Sequence, residues 1–221
     1  MLTIVPTPLG NLKDITFRAI EALKSTDFII AENPIHSGKL LKHFEIQKKE
    51  FIQLAQHNEE KNIAMILERL QKENACLVSD AGTPGISDPG FKLIRACVQK
   101  NIKVESLPGP VAAITALAAS GLPTDKFLFL GFLGKTEHKV ITALEEASKI
   151  EATAIFYESP ERVVKTLGYI SKNFPEARAV VARELTKIHE EYIRGSSLEV
   201  EKILKNRQTI KGEITIMISF K

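Results

Sequence analysis

Residues 75–90 read ACLVSDAGTPGISDPG. An apolar run without alternation ends at Ser79-Asp80, and a loop with Gly82, Pro84 and Gly85 follows. Asp88-Pro89-Gly90 then leads into the helical pattern FKLIRACVQK. A short strand apolar at every position is one buried on both faces, as in a parallel sheet covered by helices. A Gly-rich loop between such a strand and a helix lies at the carboxyl end of the sheet, where α/β proteins bind ligands. The loop is not a phosphate cradle. A Walker A loop needs a Gly-Lys-Ser/Thr ending, and no lysine follows Gly85 or Gly90; Gly82, Gly85 and Gly90 also miss the Rossmann spacing. Asp80 at the loop head disfavours a polyphosphate and suits a ligand with amino, hydroxyl or cationic groups. The amides of 81–86 fit a neutral or zwitterionic ligand, and Asp88-Pro89 reads as the cap of the next helix.

The same alternation extends in both directions. LTIVPT (2–7), DFIIAE (27–32), FIQLA (51–55) and KVESL (103–107) read as strands. Helical patterns intervene: one with Asp14 as its expected N-cap, a short one over SGKLLKHF, and a long amphipathic one with Asn58 as its expected cap. After a break at LPGP (107–110), the small-residue helix VAAITALAASG leads into KFLFLGFL, ATAIFYES, ARAVVARELT, EEYIRGS and GEITIMISF, with helices between most of them. Ser196 and Glu199 have capping-box spacing. Successive strands without a helix near 177–195 predict a mixed second sheet. The expected fold class is therefore α/β, with two α/β domains at about 1–109 and 110–221, the first a parallel sheet and the second a mixed one.

Bulk composition is that of a globular chain: 221 residues, 44% hydrophobic and 26% charged, with a formal net charge of +3 spread along the sequence. That charge is too mild to identify a nucleic-acid partner by itself. Cys76 and Cys97 lie in apolar runs with no paired spacing and read as buried reduced thiols. Met1 leads straight into LTIV without an export signal, and the longest apolar stretch is far short of a membrane span, so a cytoplasmic protein without a membrane partner is expected. No His/Cys/carboxylate spacing suggests a metal site, and no Gly-x-Ser-x-Gly elbow suggests a hydrolase.

Three further loops resemble the first in composition: PTPLGNLKD (6–14), LPGPVAA (107–113) and YESPERV (157–163). In the last, Ser159-Pro160 reads as an N-cap and first-turn proline. Four Pro/Gly loops at expected strand ends suggest one functional rim. Glu32, His36 and Lys39 follow the second strand at the same end. ARELTKIHEEYIRG (182–195) carries Arg183, Glu184, Lys187, His189 and Arg194, and its default reading is a solvated, charged hairpin.

Thr7-Pro8-Leu9-Gly10-Asn11-Leu12, Ser79 to Gly90, Pro108-Gly109-Pro110, Gly131-Phe132-Leu133, Tyr157-Glu158-Ser159-Pro160, Arg183 to Lys187 and Lys211-Gly212-Glu213 occur in this order along nearly the whole chain. In these motifs the sequence resembles the tetrapyrrole-methylase superfamily, and within it the 16S ribosomal RNA (cytidine-2′-O)-methyltransferase branch. It departs from that branch at Asn33-Pro34-Ile35, where an Asp-Thr-Arg run is usual, at Val111, where a serine is usual, and in ending soon after the last strand. The resemblance implies a homodimeric methyltransferase with S-adenosylmethionine in the cleft between its domains, the first on the substrate side and the second completing the cofactor site. It implies cofactor contacts at Pro8, Gly10, Asp80, Ala81, Gly82, Thr83, Ile86, Val111, Ala112, Phe156 and Tyr157. The implied reaction is methyl transfer to a ribose 2′-hydroxyl of 16S ribosomal RNA in the small ribosomal subunit. Glu32, His36, Glu184 and Lys187 are then the candidate catalytic groups, and Lys39, Lys42, Arg183, Lys187 and Arg194 the candidate phosphate contacts. The competing expectations are a tetrapyrrole or protein substrate, or a relative that binds the cofactor or the ribosome without catalysis.

Overall fold

Strand β4 (Ala75–Val78) is buried at every position, and its side chains alternate between two separate cores. Ala75 and Leu77 join one core, and Cys76 and Val78 the other. The computed structural model describes residues 1–54 and 59–221, with no side chain described over 55–61. The expected cap at Asn58 lies outside the described residues. The chain divides into two compact units, Met1–Val111 and Ala112–Lys221.

In the first unit, β1 (Leu2–Ile4), β2 (Phe28–Ala31), β3 (Glu50–Gln53), β4 and β5 (Val104–Ser106) form a parallel sheet in the order β3-β2-β4-β1-β5. One face packs against α3 (Glu59–Arg69) and α4 (Phe91–Gln99) through Ile66, Leu93 and Cys97. The other packs against α1 (Phe17–Ser25) and α2 (Pro34–His43) through Ala19, Leu23 and Leu41. Phe28 and Ile30 point to the first core, Ile29 and Ala31 to the second. Burying one such aliphatic or aromatic side chain contributes roughly 1.5–3 kcal/mol, and β2 and β4, buried at every position on both faces, carry no polar residue. The two thiols are buried, and loss of solvation pushes each up to about 11, so both are inert as nucleophiles near neutrality.

The second unit has a mixed sheet in the order β6-β7-β10-β8-β9. Strands β6 (Phe127–Phe132) and β7 (Thr153–Glu158) run parallel, and the pairs β7–β10, β10–β8 and β8–β9 run antiparallel. Here β8 is Arg178–Arg183, β9 is Glu191–Ser196 and β10 is Ile214–Ser219. Helices α6 (Glu137–Lys149), α7 (Val163–Asn173) and α8 (Ser197–Lys205) cover one face through Val140, Leu144, Leu167, Ile170, Val200 and Leu204. The small-residue helix α5 (Ala112–Ala118) packs on β7 and β10. Its small side chains permit that close helix–sheet approach. Among the described residues no helix is long and apolar enough to cross a membrane.

Local chemistry corrects three expected caps. The N-cap of α1 is Thr16, whose side chain accepts from the Ala19 N–H, while Asp14 ends a separate 3-10 turn, Leu12–Asp14. The N-cap of α4 is Gly90, without a side-chain cap bond, so Asp88-Pro89 belongs to the loop. Helix α7 starts after Arg162; Ser159 contributes its backbone carbonyl, which accepts from the Arg162 and Val163 N–H groups. Only at α1 does a short polar residue with extended backbone take the cap, Thr16; at α4 and α7 the caps are Gly90 and Arg162, and neither makes a side-chain cap bond. The capping box of Ser196 and Glu199 at α8 is present as expected.

Two measurements probe these assignments. Gly90 has φ +128°, and a Cβ there would lie 2.8 Å from Leu77 Cδ2 in the core. Gly90→Ala will lower unfolding free energy by about 1–3 kcal/mol in urea denaturation. Glu191 is held down at about 2 from its ordinary 4.5, first by its hydrogen bonds with Arg207, with further contributions from Arg207's charge and from Arg183, against the opposing effect of burial. A depressed carboxyl stabilises above its unfolded value and loses that contribution as pH falls through the folded one. Thermal melts from pH 5 down to pH 2 will therefore show a shallower decline for Glu191→Gln than for the wild type.

Candidate functional site

The order β2-β4-β1-β5 places the loops after four parallel strands in a row at one edge of the first unit. Hydrogen bonds then tie three of them together. Thr7 and Gly82 exchange backbone bonds in both directions, N–H to carbonyl, at 2.9 and 3.0 Å. Thr7 Oγ1 donates to the Ser79 carbonyl at 3.1 Å, and Thr83 Oγ1 donates to the Pro110 carbonyl at 3.0 Å. Gly82 has φ +78°, with the space above its Cα bounded by Leu9 Cδ2 at 3.3 Å and the Pro110 carbonyl at 3.6 Å from a would-be Cβ. A left-handed backbone in a space this narrow favours glycine.

Asp80 stands at the head of this stitched loop. Its Oδ1 is buried and has no hydrogen-bond partner, the only such side-chain atom among the described residues. A buried carboxylate oxygen without a donor is costly, and it defines a position where an incoming N–H or O–H would be bound. Beside it stands Glu32, at the end of the neighbouring strand. Its carboxyl lies above the ordinary 4.5, raised first by burial and then by the Asp80 charge, against the opposing effect of a hydrogen bond from the Asp80 backbone N–H. Two carboxylates at one mouth repel phosphate and attract donors and cations. S-adenosylmethionine, a zwitterion with a sulfonium and no phosphate, fits this donor-seeking mouth.

Of the other expected positions in this unit, Pro8 is buried, Ala81 and Thr83 are half-buried, and Gly10 and Ile86 are exposed. Val111 is the half-buried last residue of the unit. His36 lies exposed on the first turn of α2, and Lys39 and Lys42 follow it at a spacing of three, which gives one exposed basic stripe. The departure at Asn33-Pro34 builds this helix start: Asn33 Oδ1 accepts from the Ile35 and His36 N–H groups, and Pro34 occupies the first turn. An Asn-Pro pair before a helical pattern is a sequence signal for that start, which the expectation of a helix from Ser37 overlooked.

In the second unit, Ala112 is half-buried at the start of α5. Phe156 is fully buried in the core, so only its backbone can meet a ligand. Tyr157 is half-buried and makes edge contacts with Phe129 and Phe132 at centroid distances of 5.1 and 5.6 Å. The charged hairpin is more tightly bound than a solvated one. Lys187 Nζ lies 2.8 Å from Glu184 and 3.1 Å from Glu213, and Glu184 also accepts from the Glu213 N–H at 3.0 Å. Arg183 donates to the carbonyls of Lys211 and His189 and pairs with Glu191 at 3.3 Å. Arg194 donates to the Ser120 and Ala119 carbonyls beyond the end of α5, which occupies much of its guanidinium. No group of three or more His, Cys, Asp or Glu side chains among the described residues forms a metal site.

Known proteins share this architecture. A family model described as Tetrapyrrole (Corrin/Porphyrin) Methylases matches residues 1–201. A protein of Hydrogenobaculum sp. (strain Y04AAS1), named ribosomal RNA small subunit methyltransferase I, is 49% identical over 219 residues, covering 99% of this chain and 95% of its own length. A crystal structure of diphthine synthase matches with a TM-score of 0.78 at 15% identity, over 99% of this chain and 89% of that one. A uroporphyrin-III C-methyl transferase from Thermus thermophilus, solved with S-adenosyl homocysteine, matches with a TM-score of 0.67 at 13% identity, over 98% and 96%. At these low identities the two solved structures establish the shared fold, whereas the sequence matches establish kinship. With a family model over 201 residues and a relative at 49% identity along almost its whole length, the chain belongs to the tetrapyrrole (corrin/porphyrin) methylases.

Proposed function

We propose that this protein is an S-adenosylmethionine-dependent methyltransferase that methylates the ribose 2′-hydroxyl of a cytidine in 16S ribosomal RNA, acting on the small ribosomal subunit. The observation that carries the proposal is the unpartnered Asp80 Oδ1 beside Glu32, at the head of a loop stitched to the one after β1. The ribosomal RNA small subunit methyltransferase I to which the chain is 49% identical supports the substrate. The same reading makes the protein a cytoplasmic homodimer.

When bound, S-adenosylmethionine supplies an electrophilic methyl group already activated by its sulfonium, so positioning contributes much of the rate. In the first unit the proposed cofactor contacts are Pro8, Gly10 and Val111 together with Asp80, Ala81, Gly82, Thr83 and Ile86. Asp80 offers its free carboxylate oxygen to a ligand donor. Gly82 leaves room for close approach because no side chain projects from its Cα. In the second unit the proposed contacts are Ala112, the backbone of Phe156 and the ring of Tyr157.

For RNA, the exposed stripe of Lys39 and Lys42 is the proposed phosphate contact. Arg183 and Arg194 can add to it only with the donors left over from their carbonyl bonds. A 2′-hydroxyl within packed RNA must be turned outward to react, which favours a splayed nucleotide. That hydroxyl is a weak nucleophile and gains from a proton acceptor, for which Glu32, His36, Glu184 and Lys187 are the candidates.

Titration calorimetry with S-adenosylmethionine tests the cofactor site. The wild type will bind. Gly82→Val will lose binding, because the new side chain meets Leu9 and a strained backbone, while circular dichroism keeps the α/β signature. Undiminished binding by a folded Gly82→Val protein would remove the loop from the cofactor site. Incubation with cofactor carrying a labelled methyl group and small subunits from a strain lacking the enzyme tests the substrate. Label is expected in ribosomal RNA, and its absence there would reject the substrate.

A further inference from the structure

We propose that Glu32 accepts the proton of the attacking ribose hydroxyl and that Asp80, held against it across two strand ends, is its positioning partner. The proposal rests on the methyltransferase reading above and selects one group from four. Geometry separates them. Lys187 is clasped by Glu184 and Glu213 at 2.8 and 3.1 Å. Burial works against its charge, yet those hydrogen bonds prevail and hold it above its ordinary value, so it stays protonated. Glu184 is lowered, first by its hydrogen bond with Lys187, which makes it a weaker base than an ordinary carboxylate. His36 lies exposed on the first turn of α2, where solvent competes with a substrate hydroxyl for its ring nitrogens.

Glu32 is different in position and in surroundings. The parallel pairing of β2 with β4, with Ala31 opposite Val78, brings Glu32 beside the Ser79-Asp80 turn. Its backbone is fixed from the β3 side: Gln53 Nε2 donates to its carbonyl at 3.2 Å, and the Leu54 N–H donates to the Ala31 carbonyl at 2.9 Å. The Asn33 cap fixes the chain immediately after it. Its carboxylate accepts the Asp80 backbone N–H. The charged group whose field reaches it from the β4 side is Asp80; the β3 side presents the neutral Gln53, and on α2 His36 and Lys39 are exposed. The carboxyl is therefore half-buried, directionally held and raised, first by burial and then by the Asp80 charge, which brings a carboxylate nearer the working pH of a general base.

The step balances. Glu32 takes the hydroxyl proton, the oxygen's electron pair forms the carbon–oxygen bond to the methyl group, and the pair of the breaking carbon–sulfur bond remains on sulfur. One carboxylate and one sulfonium become a carboxylic acid and a neutral thioether.

The test needs three readouts. Carbon-13 NMR of glutamate carboxyls, with Glu32 assigned by its absence in Glu32→Gln, should give a midpoint above 4.5 that falls in Asp80→Asn. Glu32→Gln should still bind S-adenosylmethionine measurably in calorimetry yet, at saturating cofactor, lose at least about 100-fold in methyl transfer. Because the folded carboxyl is raised, ionising it costs stability above its midpoint. Glu32→Gln should therefore melt at or above the wild type at pH 8 and lose that margin at pH 4. Methyl transfer by Glu32→Gln within tenfold of the wild type, or a Glu32 midpoint at the ordinary value, would overturn the proposal and leave the methyltransferase reading standing. A wild-type protein that binds the cofactor but methylates no small-subunit RNA would overturn both.

Discussion

The parallel pairing of β1 with β4 is the constraint on which the site depends. Leu2, Thr3 and Ile4 lie opposite Ala75, Cys76 and Leu77, and this register brings the two strands to an end together. The Thr7–Gly82 exchange then continues the pairing beyond the regular strands as an antiparallel bridge. A one-residue slip of β4 would turn Ala75 and Leu77 into the core that holds Cys76 and Val78, and would misplace Asp80 with them. Two hydrophobic cores thus fix where a single carboxylate stands. The loop needs little regular structure of its own, because its ends are set by the sheet and its middle by Thr7, Ser79 and Pro110.

The chemistry follows from what this arrangement leaves unsatisfied. The hairpin cluster of Glu184, Lys187 and Glu213 is complete within itself, and Arg183 and Arg194 are engaged with backbone carbonyls. Such groups hold structure in place. At the strand ends of the first unit, Asp80 keeps an oxygen without a donor and Glu32 keeps a raised carboxyl. Among the described residues Asp80 Oδ1 is the one buried side-chain polar atom without a partner, and beside the raised Glu32 carboxyl it marks where a ligand supplies one. The cost of two adjacent carboxylates is carried by the bound state, in the way that active sites hold groups that stability alone would remove.

Much of the fold was legible because its signals were local. ACLV and FIIA have no polar position, and a strand of that kind belongs to a parallel sheet with two covered faces. The hairpin of β8 and β9 was visible as two strands with no helix between them. Helix starts were less legible: Asp14 and Asp88 have good cap chemistry, but Thr16 and Gly90 have the positions. Within the site, the Gly-rich loop and its acid stood out in sequence. What could not be read there was partnership. Glu32 and Asp80 are 48 positions apart in the chain, and Lys187 meets Glu213 only because β8 and β10 pair. A lone lysine in a charged run looks like a base or a phosphate contact until the carboxylates that enclose it are known.

The modified nucleoside itself is the most direct witness of methyl transfer to ribose. Small subunits lacking the modification would be incubated with the protein and S-adenosylmethionine, their 16S RNA digested to nucleosides, and the products separated by liquid chromatography and mass spectrometry. A gain in 2′-O-methylcytidine is expected, with the added methyl mass on the ribose fragment and none on the base. Methyl mass on a base, or no gain in any methylated nucleoside with active cofactor present, would contradict it.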